Sequence, residues 1–198
     1  MLVYKIPSKY YYRIHHVRPR FKNNVEEVLL HISSGLSQLK PENKQEFIKK
    51  FDKVLKTFPG NMIKTSKTIA NWRTEISSLF GFLVELDNGI LTPSDNAIML
   101  SERQDLVEFF KYFLYTFQYP GGHMKSHETA KILKHNIKFK PAFYILDLLM
   151  VGEKITKNRF GLNKAEVTHC IFNDLRVTSG KIHSSKVVEL IQNNRIKN

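Results

Sequence analysis

One cysteine in 198 residues leaves nothing to form a disulfide within the chain. A lone thiol also fits a reducing cytoplasm, where such a chain is expected. Cys170 stands between His169 and Ile171 in an apolar helical pattern and reads as a buried structural thiol rather than a nucleophile. There is no run of the roughly 18 apolar residues that a spanning helix needs, so no membrane span is expected. The opening Met-Leu-Val-Tyr-Lys-Ile-Pro lacks the apolar stretch of a signal peptide. The nine glycines are scattered at turns, which excludes a glycine-rich phosphate loop, and no Gly-x-Ser-x-Gly elbow occurs. Acidic residues are also scarce: none precedes Glu26, and 18 Asp and Glu face 31 Lys and Arg, for a net charge of +13. That imbalance makes a polyanion the leading partner. Nucleic acid is the commonest, with a membrane surface as rival. Hydrophobic residues, at 42%, suffice for a core and exclude wholesale disorder.

What is present is organised around residues 65 to 92. Ile69, Trp72, Ile76, Leu79 and Phe80 share one helical face, and Lys67, Asn71, Arg73, Thr74 and Ser78 make the other, rich in hydrogen-bond donors. Ser66 is the expected N-cap, and Gly81 the left-handed end. Phe82, Val84 and Leu86 then alternate with Leu83 and Glu85. Asn88-Gly89 is expected to supply the positive φ angles of a tight hairpin before Ile90, Leu91 and Thr92 return. A donor-rich helix followed by a hairpin is the core of a winged helix-turn-helix.

The flanking chain is mainly helical. Residues 1–23 read as a basic arm, in which Tyr4, Tyr10, Tyr11 and Tyr12 interleave with Lys5, Lys9, Arg13, His15, His16, Arg18, Arg20 and Lys22. A first helix runs from Val25 to Leu39. A second opens at Pro41, with Phe47, Phe51, Val54, Leu55 and Phe58 as its apolar stripe. Leu106 to Phe117 is an aromatic helix, broken at Tyr119-Pro120-Gly121-Gly122. His123, His127 and His135 follow in a polar segment with no cysteine nearby and no convincing carboxylate partner, so no metal site is expected. From Pro141 a second unit begins: an apolar helix ended by Gly152, a short connection or strand from Ile155 to Leu162, and a helix capped by Asn163 with Glu166 completing a capping box. On that helix Val167, Cys170, Ile171 and Leu175 are expected inside, with Lys164, Thr168 and Asn173 outside. Val177 to Gly180 is a turn, and Val187, Val188, Leu190 and Ile191 build a final helix. The fold class is therefore mainly α with small β-hairpins: two winged-helix-like subdomains, at 24–122 and 123–198, plus the arm.

Signs of catalysis are weak. A metal-dependent nuclease needs an aspartate followed by Glu-x-Lys to hold magnesium and position water. Glu42-Asn43-Lys44 has the local form, but the first aspartate, Asp52, comes after it. No catalytic residue and no metal ligand is assigned.

Four stretches also carry a family likeness. They are Arg13-Ile-His-His-Val-Arg18-Pro-Arg20-Phe-Lys22; Lys67-Thr-Ile-Ala-Asn71-Trp-Arg73-Thr-Glu75-Ile leading to Leu79-Phe80-Gly81; Phe117-Gln118-Tyr119-Pro120-Gly-Gly122; and Val177 to Ile191 with Gly180-Lys181-Ile182. In these the chain resembles the N-terminal DNA-recognition domain of BpuJI-like type IIS restriction endonucleases. The resemblance implies an arm and two winged-helix subdomains reading a short asymmetric site in the major groove of double-stranded DNA. It also implies a separate PD-(D/E)XK nuclease domain, in the full-length chain or on another subunit. No cofactor is expected in this chain, Mg2+ being needed only by that domain, and the isolated domain is expected to be a monomer. Expected DNA contacts are Arg13, Arg18 and Arg20 to base edges, since an arginine fork matches the two acceptors of guanine. His16 belongs to the same arm, and Lys22, Lys64 and Lys67 are expected on phosphates. Ser66, Asn71, Arg73 and Thr74 are expected from the first helix, and Lys164 and Thr168 from the second. Two other functions share these residues: a winged-helix transcription regulator, and a nuclease with an unrecognised metal site.

Overall fold

The computed structural model describes residues 6–14, 21 and 24–197. The chain forms two compact units, residues 17–113 and residues 1–16 with 114–198. The first holds the β-sheet and is termed the sheet unit; the second is termed the basic unit.

In the sheet unit, α1 (Val25–Ser37) opens with Glu26 and Glu27 against its positive end and buries Val28, Leu29, Ile32 and Leu36. The next helix does not start at Pro41. Glu42–Asn43 forms β1, and α2 (Lys44–Thr57) begins after Asn43, whose side chain accepts from the Glu46 amide. The local sequence allows either start. The open edge of a later strand decides, because pairing there satisfies the backbone of Glu42 and Asn43.

Further on, α3 (Ser66–Thr74) is capped by Thr65 rather than Ser66: the Thr65 hydroxyl accepts from the Thr68 amide. A π-helical turn, Glu75–Leu79, extends it, and Gly81 follows at φ +67°, the left-handed end expected of it. The hairpin is β2 (Leu83–Glu85) and β3 (Ile90–Pro93), giving an antiparallel sheet of order β1-β3-β2. Its turn differs from the tight form expected. Only Gly89 has positive φ, the Gly89 amide donates to Leu86, and the Leu86 amide donates to Ile90. That is a three-residue loop closing on a left-handed glycine.

Two helices complete the unit. One of them, α4 (Asp95–Arg103), packs on α1 and is not foreseen by the sequence pattern; Ser94 caps it. The other, α5 (Leu106–Thr116), crosses the division between the units. The core is aromatic. Trp72 lies 4.8 Å from Phe21 and 5.9 Å from Phe58, while Phe80 and Phe82 meet Phe109, with Phe47 and Phe51 fully buried.

In the basic unit, the histidine segment is a helix, α6 (Ser126–Lys134). Then α7 (Pro141–Thr156) starts at its proline but is not ended by Gly152. Gly152 is buried in mid-helix, where a Cβ would overlap the Phe160 ring. Its lack of a side chain serves packing, and the helix runs on to Lys157 at φ +54°. The expected connection from Ile155 to Leu162 is accordingly a helix end and a loop. The helix α8 (Lys164–Glu166) has the full Asn163–Glu166 capping box and passes into a π-helical turn, Val167–Phe172. After it come α9 (Leu175–Thr178), in place of the plain turn expected, and α10 (Ser184–Ile196), which packs on α7.

Asn173 is a further correction: it is buried, not outward. The π turn adds a residue to the helical repeat and rotates Asn173 inward. There its carbonyl accepts from the Tyr12 amide at 3.0 Å. The described part of the arm is docked, not loose. Tyr11 bridges Asp174 antiparallel and Ile14 is fully buried. Among the described residues of this unit there is no hairpin, only isolated bridges at Tyr11–Asp174 and Tyr119–Phe139.

Candidate nucleic-acid interface

On α3, the buried face is Ile69, Trp72 and, in the π turn, Ile76 and Leu79. Ser66, Lys67, Thr74 and Ser78 are exposed and Asn71 is half-buried. Lys67, Asn71, Thr74 and Ser78 recur every three or four residues and form one outward stripe. Arg73 is not part of it, because it ion-pairs with Asp52. Lys64 Nζ lies over the Trp72 ring at 4.4 Å. Thr74 donates its hydroxyl to the Ala70 carbonyl, which leaves that oxygen's lone pairs as its outward function.

The second candidate helix repeats this plan. A side-chain cap, Asn163 in place of Thr65, is followed by α8 and a π turn. Lys164 is exposed and Thr168 half-buried, with the Thr168 hydroxyl donating to the Lys164 carbonyl. Its inner side holds Glu166, which is 0% exposed and takes two hydrogen bonds of 2.7 Å from Arg195. Arg13 is exposed. His16, Arg18, Arg20 and Lys22 lie outside the described residues.

Charge is divided very unequally between the units. The basic unit has 17 Lys and Arg against 6 Asp and Glu, a net +11; the sheet unit has 14 against 12, a net +2. Two of the six acids in the basic unit, Glu166 and Asp174, are buried under Arg195 and Arg176. Each neutralises the arginine above it, which leaves 15 cations against 4 acids, still a net +11.

Residues 4–198 match the family model described as restriction endonuclease BpuJI, N terminal. The chain belongs to the BpuJI N-terminal family. Among solved structures, one similar chain is the BpuJ1 endonuclease binding domain, in complex with pyrene- and phenanthrene-modified DNA. It shares 28% identity with a TM-score of 0.87, over 98% of this chain and 68% of that one. Among curated proteins no relative matches the chain.

Two other polar features that the sequence singles out have structural roles in this BpuJI-family chain. Burial pushes the Cys170 thiol up to about 12, as does nearby Glu166, so it stays protonated. Glu42 pairs with Lys50, and Lys44 with Glu85, so the Glu-x-Lys look-alike is a surface ion-pair set. Among the described residues, no three of His, Cys, Asp and Glu stand close enough to hold a metal. No helix among them is long and apolar enough to cross a membrane.

Sequence reasoning misses one cluster. Lys9, Tyr10, Lys134, His135, Arg176 and Lys181 line a single cleft in the basic unit. They come from three distant stretches, and the only signal in the sequence is the lysine-rich run after Gly122.

Proposed function

We propose that the chain is a sequence-specific duplex-DNA recognition domain of a type IIS restriction endonuclease. It reads a short asymmetric site, mainly through the major groove. The observation that carries this reading is the likeness of nearly the whole chain to a DNA-bound binding domain of its own family. Two capped helices with outward polar stripes, and a strongly cationic unit, supply the two kinds of contact such recognition needs. Phosphate contacts position the protein and base contacts specify the sequence.

On this reading Lys67, Asn71 and Thr74, with Ser66 at the helix start, face the groove from α3. Lys164 and Thr168 face it from α8. Arg13, Arg18 and Arg20 are assigned to base edges, with His16 beside them, and Lys22 and Lys64 to phosphates. Arg73 has one guanidinium nitrogen committed to Asp52, which orients the rest of its fork. Cleavage belongs to a nuclease domain elsewhere in the enzyme, and Mg2+ serves that domain.

Binding-site selection from a random duplex pool tests this. An asymmetric consensus of a few base pairs is the expected result. A palindrome would replace the reading with a dimeric regulator, and cleavage of plasmid with Mg2+ by repurified protein would place a nuclease site in this chain. Substituting Arg13 by alanine should relax preference at one base pair, at a cost of about 1–3 kcal/mol in discrimination.

A further inference from the structure

The cleft of the basic unit has a volume of about 260 Å³ and lies between the opening segment, the end of α6 and α9. Lys9, Lys134 and Lys181 are exposed, and none has a carboxylate partner among the described residues. No carboxylate lines this cleft, whereas Glu128 lines the neighbouring one beside Arg13, His127 and Lys131. An anion is therefore favoured here over that neighbour.

The chemistry of the walls says which part of a nucleic acid fits. Arginine reads a base edge with a free guanidinium fork. Arg176 gives its Nε and Nη2 to Asp174 at 3.0 and 2.6 Å, and Asp174 is 1% exposed, so that fork is fixed. The hydrogen bond to Asp174 also holds the Arg176 pKa above its ordinary value, so its charge is permanent. A stacked base would need a bare aromatic face. Both the Lys9 ammonium, at 4.8 Å, and the Arg176 guanidinium, at 4.7 Å, already lie over the Tyr10 ring. Of the cationic groups that line the cleft, the three ammoniums remain available, compact point charges on flexible stems.

Resting on the DNA reading above, we propose that this cleft seats backbone phosphate of the bound duplex, contributing affinity without sequence preference. The arginine–aspartate–tyrosine wall positions the opening segment so that Lys9 stands opposite Lys134 and Lys181.

The test uses the double variant Lys134→Gln/Lys181→Gln, with Lys53→Gln/Lys56→Gln on α2 as a control that removes the same charge from the sheet unit. Affinity is measured across a salt series on the selected duplex and on a random duplex of equal length. For the cleft variant the slope of log affinity against log salt should become shallower by about 1 to 2, since each phosphate contact contributes roughly 0.9. The loss should be the same factor on both duplexes, with the thermal midpoint unchanged. The control should shift the slope by much less. Equal shifts in the two variants, an unchanged slope in the cleft variant, or a loss confined to the selected duplex would each overturn the assignment. Displacement of duplex by inorganic phosphate at constant ionic strength, in parent but not in the cleft variant, would make this a free-phosphate site and overturn it as well. A parent protein that binds no duplex overturns the DNA reading and the cleft together; a parent that binds beside an unaffected cleft variant overturns the cleft alone.

Discussion

In the sheet unit carboxylates pair with lysines at the surface; in the basic unit two of the six acids go inside. Lys44–Glu85, Lys49–Glu46 and Lys50–Glu42 are solvent-facing pairs that cancel charge where it could be felt. Glu166 and Asp174 instead are buried beneath arginines and leave the surrounding lysines uncompensated. The cores differ in the same sense. Interlocked aromatic rings fill the sheet unit, whereas the basic unit adds two buried acid–arginine pairs and a helix glycine to its own apolar and aromatic core. The positive surplus of the basic unit thus rests on its lysines, because each withdrawn acid neutralises an arginine. The exposed pairs contribute little to stability, but breaking a buried one strands a charge away from water.

The largest expected effect would break the comparison on the aromatic side. Phe51→Ala should destabilise the sheet unit by about 3–5 kcal/mol, as for buried phenylalanines generally. The fluorescence of Trp72, the one tryptophan, reads this out in urea. Next comes Arg195→Ala, which strands the buried Glu166 carboxylate. About 3 kcal/mol is expected, the low end for such a loss because the Arg195 side chain is 39% exposed. Pairing it with Glu166→Gln should recover part of that. If Arg195→Ala alone costs no more than a surface pair, the contrast between the units is wrong.

The smallest effect sharpens the comparison through pH. His123 stacks on Phe117, and burial pulls its pKa below the ordinary 6.5. Unfolding restores the ordinary value, so the unfolded state binds more protons in this window. Stability is therefore full above pH 6.5 and declines as pH falls from there through the lowered folded value. His123→Phe should flatten that decline in thermal midpoints measured between pH 7.5 and about 5. An identical decline in the variant would assign it to another group.

Much of the local architecture is legible in the order of residues, and the limits of that legibility are physical. The buried face of α3, the Asn163–Glu166 box, the left-handed Gly81 and the stripe of α2 all follow from side-chain spacing and capping. Asn173 escapes such reading because a single π turn shifts the phase of everything after it, and nothing in a hydrophobic period announces one. Gly152 reads as a stop because a helix end and a close ring contact demand the same absent side chain. The helices α4 and α6 are only nine residues long, so each displays little more than two turns of pattern.

The sequence by itself determined most of the longer helices, the Asn163 cap and the Gly81 end, and that the molecule is a strong polycation, since those depend on residues within a few positions of one another. Only the tertiary structure decided that Glu42 and Asn43 become a strand, that the opening segment joins the C-terminal half, and that nearly all the surplus charge belongs to one unit. Each of these requires closing a long loop. Whether the free energy of pairing and burial at its ends exceeds the chain entropy lost cannot be read from neighbours in the sequence.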